Sequence, residues 1–294
     1  MRLRLDSGRR TTSKQPDLLN AIVGLFGNSN LDGCCIITRF SKLMLIKQRD
    51  TSLKYPKAIK EEKTRLVLEW LLEFRFSSIK LLAKRIGSNY VNSNRFFNLL
   101  LNDGIIHAFK NVHTKNERYV MLTTAGLSYL EVLGRDISKS TTRVQHLGRY
   151  SHIIHDMAVQ YAVLNRLDQF EEVIWDRHIN LQDYQEKPDA IMLSPKGYWV
   201  ALEYERWRKD TKRIFISFIN HSSALSAKHY AGVFYLFDRE ADCKHYQKLF
   251  DSAEWPRYKR ETKSGKVRTL DSSFKPDDVK NLRTCFVFIH EPVK

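Results

Sequence analysis

The 294 residues suffice, at roughly 100–200 per domain, for two domains with cores of their own. Lys and Arg number 49 against 33 Asp and Glu, so the chain carries +16 with a pI near 9.6, the footprint of a protein that meets a polyanion, nucleic acid first among them. No long basic amphipathic helix carries a bulky apolar face, which argues against a membrane-surface protein; the runs "CCII" and "FNLLL" are too short to span a bilayer, and "MRLRLDSGRR" lacks the apolar core of a signal peptide. Cys34, Cys35, Cys243 and Cys285 match neither a zinc spacing nor a disulfide framework and suit a reducing compartment. A cytoplasmic protein without membrane insertion is expected.

Residues 1–60 read as an N-terminal extension: a polar arm to about residue 18, then enough apolar content up to Leu45 for a helix and a short strand. Within 61–135 the order is clearer. "EEKTRLVLEWLLEF" sets Leu66, Trp70 and Phe74 at helical spacing behind acids in the first turn. "SSIKLLAKRIG" has a serine cap and stops at Gly87, and "SNYVNSNRFFNLLLNDG" makes a third helix ending at Gly104. "IIHAFK" and "RYVMLT" alternate as a two-stranded ribbon across the turn "NVHTKNE", and "TAGLSYLEVLG" closes the unit as a helix.

Three helices followed by a ribbon is the order of a winged helix-turn-helix. In that reading the third helix offers Asn92, Asn94, Arg95 and Asn98 to the major groove, and the wing brings His113, Lys115 and Arg118 to phosphates. The same elements also suit a dimerisation or protein-docking module; the net charge favours DNA.

Residues 136–148, "DISKSTTRVQHLG", read as a linker. A second domain, 149–294, then runs as the helix "RYSHIIHDMAVQYAVLNRL", the strand "EEVIWDRHI", a hairpin at 187–205, the helix "DTKRIFISFINHSSAL", the buried strand "AGVFYLFD", the helix "READCKHYQKLFDSAE" and the strand "TCFVFIHE". That order predicts an α/β sandwich on a mixed sheet, and α+β for the whole chain. "RYKRETKSGKVR", in 257–268, is a dense basic loop or hairpin that suits a phosphate backbone or plain solvent.

The hairpin "KPDAIMLSPKGYWVALEYERWRK" carries three acids among apolar residues. Pro195-Lys196-Gly197 suits a three-residue loop with Gly197 in the left-handed position, which pairs Ser194 with Tyr198, Ala190 with Leu202 and Asp189 with Glu203. Period-two alternation then puts Asp189, Glu203 and Glu205 on one face and Val200, Leu202 and Tyr204 on the other. Carboxylates about 4.5–5.5 Å apart at Cβ repel unless a proton or cation lies between them, and oxygen ligands suit Mg2+ or Mn2+. The competing reading leaves the acids on an exposed edge, paired with Arg206, Arg208 or Lys209.

"Pro188-Asp189", a hairpin and "Glu203-Tyr204-Glu205" resemble the PD-(D/E)xK motif of restriction-endonuclease-like nucleases, with Glu205 where that motif has lysine. Together with a preceding winged helix and "His155-Asp156", the stretch 61–252 resembles the C-class (MOBC) plasmid mobilisation relaxases and the related replication-relaxation proteins. The resemblance implies a site- and strand-specific nick at a plasmid transfer origin. Its partners would be double- and single-stranded origin DNA, a coupling protein and relaxosome accessory proteins. Asp189, Glu203 and Glu205 would hold the metal, Lys209 or, second, Arg208 would do the work of the absent lysine, and His155, with His152 three residues earlier, would orient the metal or its water. Water is the expected nucleophile, with Tyr198 and Tyr204 as tyrosine candidates, although Tyr204 points to the other face. A non-catalytic DNA-binding plasmid regulator or replication accessory is the alternative.

Overall fold

The computed structural model describes residues 52, 54–110, 118–138, 140–147, 150–179, 187–260 and 267–293, all within one compact unit. Among the described residues are seven α-helices, a three-stranded sheet, a five-stranded mixed sheet and a two-stranded ribbon, an α+β architecture. None of the described helices is long and apolar enough to cross a membrane.

Helix α1 (Pro56–Phe74) begins at Pro56 rather than at Glu61, because proline at the first helical position has its φ preset and no N–H to lose. Glu61 and Glu62 therefore sit a turn inside, where Glu62 pairs with Arg65 at 2.7 Å, while Leu66, Trp70 and Phe74 are buried as their spacing predicts. A short strand that sequence periodicity misses, β1 (Phe76–Ser78), follows. Ser78 then caps α2 (Ile79–Arg85) by accepting the Leu81 N–H, and Gly87 leaves that helix at φ +64°.

Asn89 caps α3 (Tyr90–Asn102), and Gly104 stops it at φ +65°. Strands β2 (Ile106–Lys110) and β3 (Arg118–Leu122) pair antiparallel, and β1 adds to the outer side of β3, so the expected ribbon is the core of a three-stranded sheet. Helix α4 (Thr124–Val132) closes this part on a Thr123 cap.

Helix α5 (Tyr150–Leu164) leads to β4 (Glu172–Trp175), β5 (Ala190–Leu193) and β6 (Trp199–Glu205), then α6 (Thr211–Ser226), β7 (Gly232–Phe237), α7 (Glu240–Phe250), a ribbon of β8 (Trp255–Arg260) with β9 (Val267–Phe274), and β10 (Phe286–His290). The ribbon places the basic segment on a hairpin whose tip, 261–266, lies outside the described residues. Sheet order is β10-β7-β6-β5-β4. The first three strands are parallel, and β4 and β5 join antiparallel. All of β7 is buried, as a central strand with both faces covered must be.

Ile191, Ala201, Tyr235 and Phe237 face α6 and α7 in one cluster, with the Phe218 ring at its centre against Tyr235, Tyr246 and Trp255. Helix α5 packs on β6 and takes no part in that cluster, so it covers the other face. Buried hydrogen bonds tie α1 and β1 to α5 and to this sheet: Trp70 Nε1 of α1 donates to Gln160 Oε1 of α5, Gln160 Nε2 donates to the Phe76 carbonyl of β1, each at 2.9 Å, and the Trp175 N–H of β4 donates to Glu73 of α1 at 3.3 Å.

Candidate functional site

The hairpin has the expected register. Gly197 adopts φ +82°, the Ser194 N–H donates to the Tyr198 carbonyl, and Leu193 pairs with Trp199, Met192 with Val200, Ile191 with Ala201 and Ala190 with Leu202. Asp189 lies just outside the ladder. Its Oδ2 accepts the Tyr204 N–H at 2.7 Å, which turns the carboxylate toward the end of β6 where Glu203 and Glu205 emerge. The three acids line one cleft of about 270 Å³ together with His155, Arg206, Trp207, Arg208, Lys209 and Arg213. Tyr204 points to the opposite face, buried, with its hydroxyl donating to the Glu291 carbonyl at 2.6 Å. Tyr198 lies five residues up β6 from Glu203, about 16 Å away.

Each carboxylate has a different basic neighbour. Asp189 Oδ2 is 3.4 Å from His155 Nε2, which also donates to the Tyr204 carbonyl at 3.1 Å. The Asp189 charge first, then Asp156, outweighs burial and raises the His155 pKa to about 11. Burial pushes the Asp189 carboxyl up, but the His155 charge and the Tyr204 N–H overcome it and hold the group below the usual carboxylate range. Glu205 goes the other way: burial raises it, with Lys209 as partial compensation. Lys209 Nζ stands 2.5 Å from Glu205 Oε1 in a largely buried ion pair. The pairing of Glu205 with Lys209 is what the competing reading expects, although Glu205 is buried rather than on an exposed edge, and Arg208 is held by Asp242 of α7 at 2.8 Å.

Glu203 is held by His221, a residue that sequence reading overlooks. His221 Nε2 lies 3.1 Å from Glu203 Oε1, and Nδ1 lies 2.5 Å from the Tyr230 hydroxyl. Burial, then the Lys209 charge, depresses His221 to about 3, so the ring is neutral: Nε2–H donates to Glu203 and Nδ1 accepts from Tyr230. The available signal was positional, since His221 falls on the inner face of α6 with Ile214 and Phe218. His152, expected beside His155, is exposed and not part of the cleft lining.

The donor set suits a hard cation in its chemistry, three carboxylates of which Glu203 and Glu205 are buried. Among the described residues, no three His, Cys, Asp or Glu side chains are disposed together to hold a metal ion. His221, Lys209 and His155 each engage a different one of the three acids, the first as a neutral hydrogen-bond donor.

Comparison with protein-family models, with curated proteins and with solved structures finds no match to this chain. The chemistry of the residues themselves therefore carries any functional reading.

Asn92, Asn94, Arg95 and Asn98 are all exposed on α3, as expected, but they divide between two aspects of the helix. Asn94 and Asn98 follow Tyr90 at one-turn intervals and line a groove of about 640 Å³ with Lys80, Lys110 and Arg118; Asn92 and Arg95 are outside that lining. His113 and Lys115 lie outside the described residues.

Proposed function

We propose that the chain is a metal-dependent DNA nickase of the plasmid-mobilisation relaxase type. In this reading residues 149–294 are a restriction-endonuclease-like core, and the α2–α3 unit with its three-stranded sheet acts as a winged helix on duplex origin DNA. The observation that carries the reading is the convergence of Asp189, Glu203 and Glu205 with Lys209 and His155 in one cleft whose rim is arginine-rich. Acids and arginines meeting at the end of a central strand of a basic protein support a reading in which a cation and a phosphodiester are bound together.

Mg2+ or Mn2+ bound by Asp189, Glu203 and Glu205 would supply Lewis acidity at the scissile phosphate and a water of lowered pKa. Lys209 would turn its ammonium from Glu205 to a non-bridging phosphate oxygen, doing the work of the absent motif lysine. His155, charged and bonded to the Tyr204 carbonyl, would fix the Asp189 carboxylate. His221 would keep Glu203 ionised and pointed, as a neutral donor that adds no competing charge. Water is the preferred nucleophile, because Tyr204 is turned away and Tyr198 is at the far end of the strand.

The basic partner on each acid also suits the alternative, a non-catalytic DNA-binding regulator. Supercoiled plasmid carrying the cognate origin, incubated with protein and Mg2+ or Mn2+, separates the two. Wild type is expected to yield open circles, and Asp189→Ala and Glu203→Ala are expected to yield none. Absence of nicking by wild type, or nicking by both variants at the wild-type rate, defeats the nuclease reading.

A further inference from the structure

Directly after the acidic strand the chain runs Arg206-Trp207-Arg208-Lys209, and Trp207 stands on the cleft wall with 65% of its surface exposed. The other tryptophans differ: Trp70, Trp175 and Trp255 are buried and Trp199 is half-buried. A single exposed apolar side chain needs no explanation by itself. The setting of this one does.

The guanidinium carbons of Arg206 and Arg239 each stand 5.6 Å from an indole centroid that belongs to Trp207, near the outer reach of a cation–π contact. Both arginines are also engaged elsewhere, Arg206 with Asp238 at 3.6 Å and Arg239 with Asp242 at 2.6 Å. The indole is thereby steadied by cations anchored to other elements, and most of its surface stays open. Arg208, held by the same Asp242, and the exposed Arg213 complete a positive rim on the cleft that contains the acids.

An indole that is 65% exposed, with two anchored guanidinium groups beside it, matches an unpaired nucleobase flanked by its own phosphates. The base supplies a π-face for the indole, and the phosphates meet the arginines. A base inside a duplex has both faces covered by its neighbours and cannot stack in this way. We propose that Trp207 is a stacking platform for an unpaired base next to the phosphate in the acidic cleft, so that the strand enters single-stranded or locally melted. The proposal rests on the nucleic-acid reading of the cleft and adds to it the residue that takes the unpaired base.

The test uses the full chain in EDTA, which withholds the metal the proposed cutting requires, and follows tryptophan emission and affinity with three probes: oligodeoxythymidylate, an abasic oligomer of the same length, and a duplex. Oligodeoxythymidylate is expected to quench emission in wild type. Trp207→Leu should lose that quenching and bind the oligomer about ten-fold more weakly, with abasic binding unchanged, whereas Trp207→Phe keeps most of the affinity. Trp207→Gln serves as a second truncation should the leucine variant fail to fold.

The proposal is overturned by wild-type emission that the oligomer does not move, by a leucine variant that binds the oligomer as tightly as wild type, by an equal loss for the abasic probe, or by an equal loss for the duplex. A wild-type protein that passes these binding tests but never nicks plasmid would remove the nuclease reading and leave the stacking site standing. Nicking with no Trp207-dependent binding would do the reverse.

Discussion

His221 donates from Nε2 to Glu203 Oε1 across 3.1 Å inside the core, so an acid of the candidate site is held from beneath by a helix rather than by its own hairpin. Removing the imidazole deletes a buried hydrogen bond to the Glu203 carboxylate and another to the Tyr230 hydroxyl. His221→Ala is therefore expected to cost about 3 kcal/mol or more, measured by urea unfolding, whereas His221→Gln, which retains an N–H donor, should cost less. Equal losses in both variants would mean that side-chain volume, not the hydrogen bond, is what matters.

Lys209 and Glu205 form the ion pair closest to the proposed chemistry. Lys209→Ala is expected to reduce nicking by about 10²–10³-fold, the usual effect of deleting one group that stabilises developing charge. Metal-free affinity for oligodeoxythymidylate should change far less. A variant that nicks normally would assign the missing lysine's work elsewhere.

Arg75 links the two halves of the protein to the site. It follows α1 with φ +67°, and its Nη2 meets Asp156 Oδ2 at 3.2 Å, beside His155. Arg75→Ala is expected to lower the turnover number for nicking several-fold with little change in KM, and Arg75→Lys to restore part of it. Arg75→Gly should be about 1 kcal/mol more stable than Arg75→Ala, because glycine accepts positive φ without strain. Calorimetry of the two variants separates the backbone effect from the loss of the ion pair.

Lys80, Lys110 and Arg118 line the groove beside Asn94 and Asn98. If this face lies on duplex DNA, each neutralised side chain should flatten the slope of log K against log salt by about 0.9. Asn94→Ala and Asn98→Ala should instead relax sequence preference with the slope unchanged. Filter binding across a salt series reads both.

Glu291 gives the fold a defined acid sensitivity. Burial raises its carboxyl, but hydrogen bonds and charge from Arg166, with Asn165, outweigh it and hold the group below its ordinary 4.5. The stabilisation is complete above the unfolded value and is lost as pH falls through the folded one, since the unfolded chain takes up the proton first. Glu291→Gln should therefore be less stable than wild type near neutral pH, with the gap closing on acidification below about 4.5. Denaturant midpoints across that range test the sign.

Much of the fold is legible along the chain because its signals are local. Ser78, Gly87 and Gly104 mark helix ends where side chain or backbone freedom satisfies the terminal groups, and Pro195-Lys196-Gly197 sets the register that places the acids on one face. The start of α1 was missed because Pro56 precedes the periodic stretch, and β1 because three residues are too few to show a period. Charge and local alternation together thus determined the element order, the hairpin and the coincidence of three carboxylates. The distant partners of those acids came only from folding. His221 lies 18 residues beyond Glu203, His155 49 before Tyr204, and Arg75 81 before Asp156. Pairings at such separations depend on how helices cover the two faces of a sheet, a packing outcome for which hydrophobic periodicity carries no partner information.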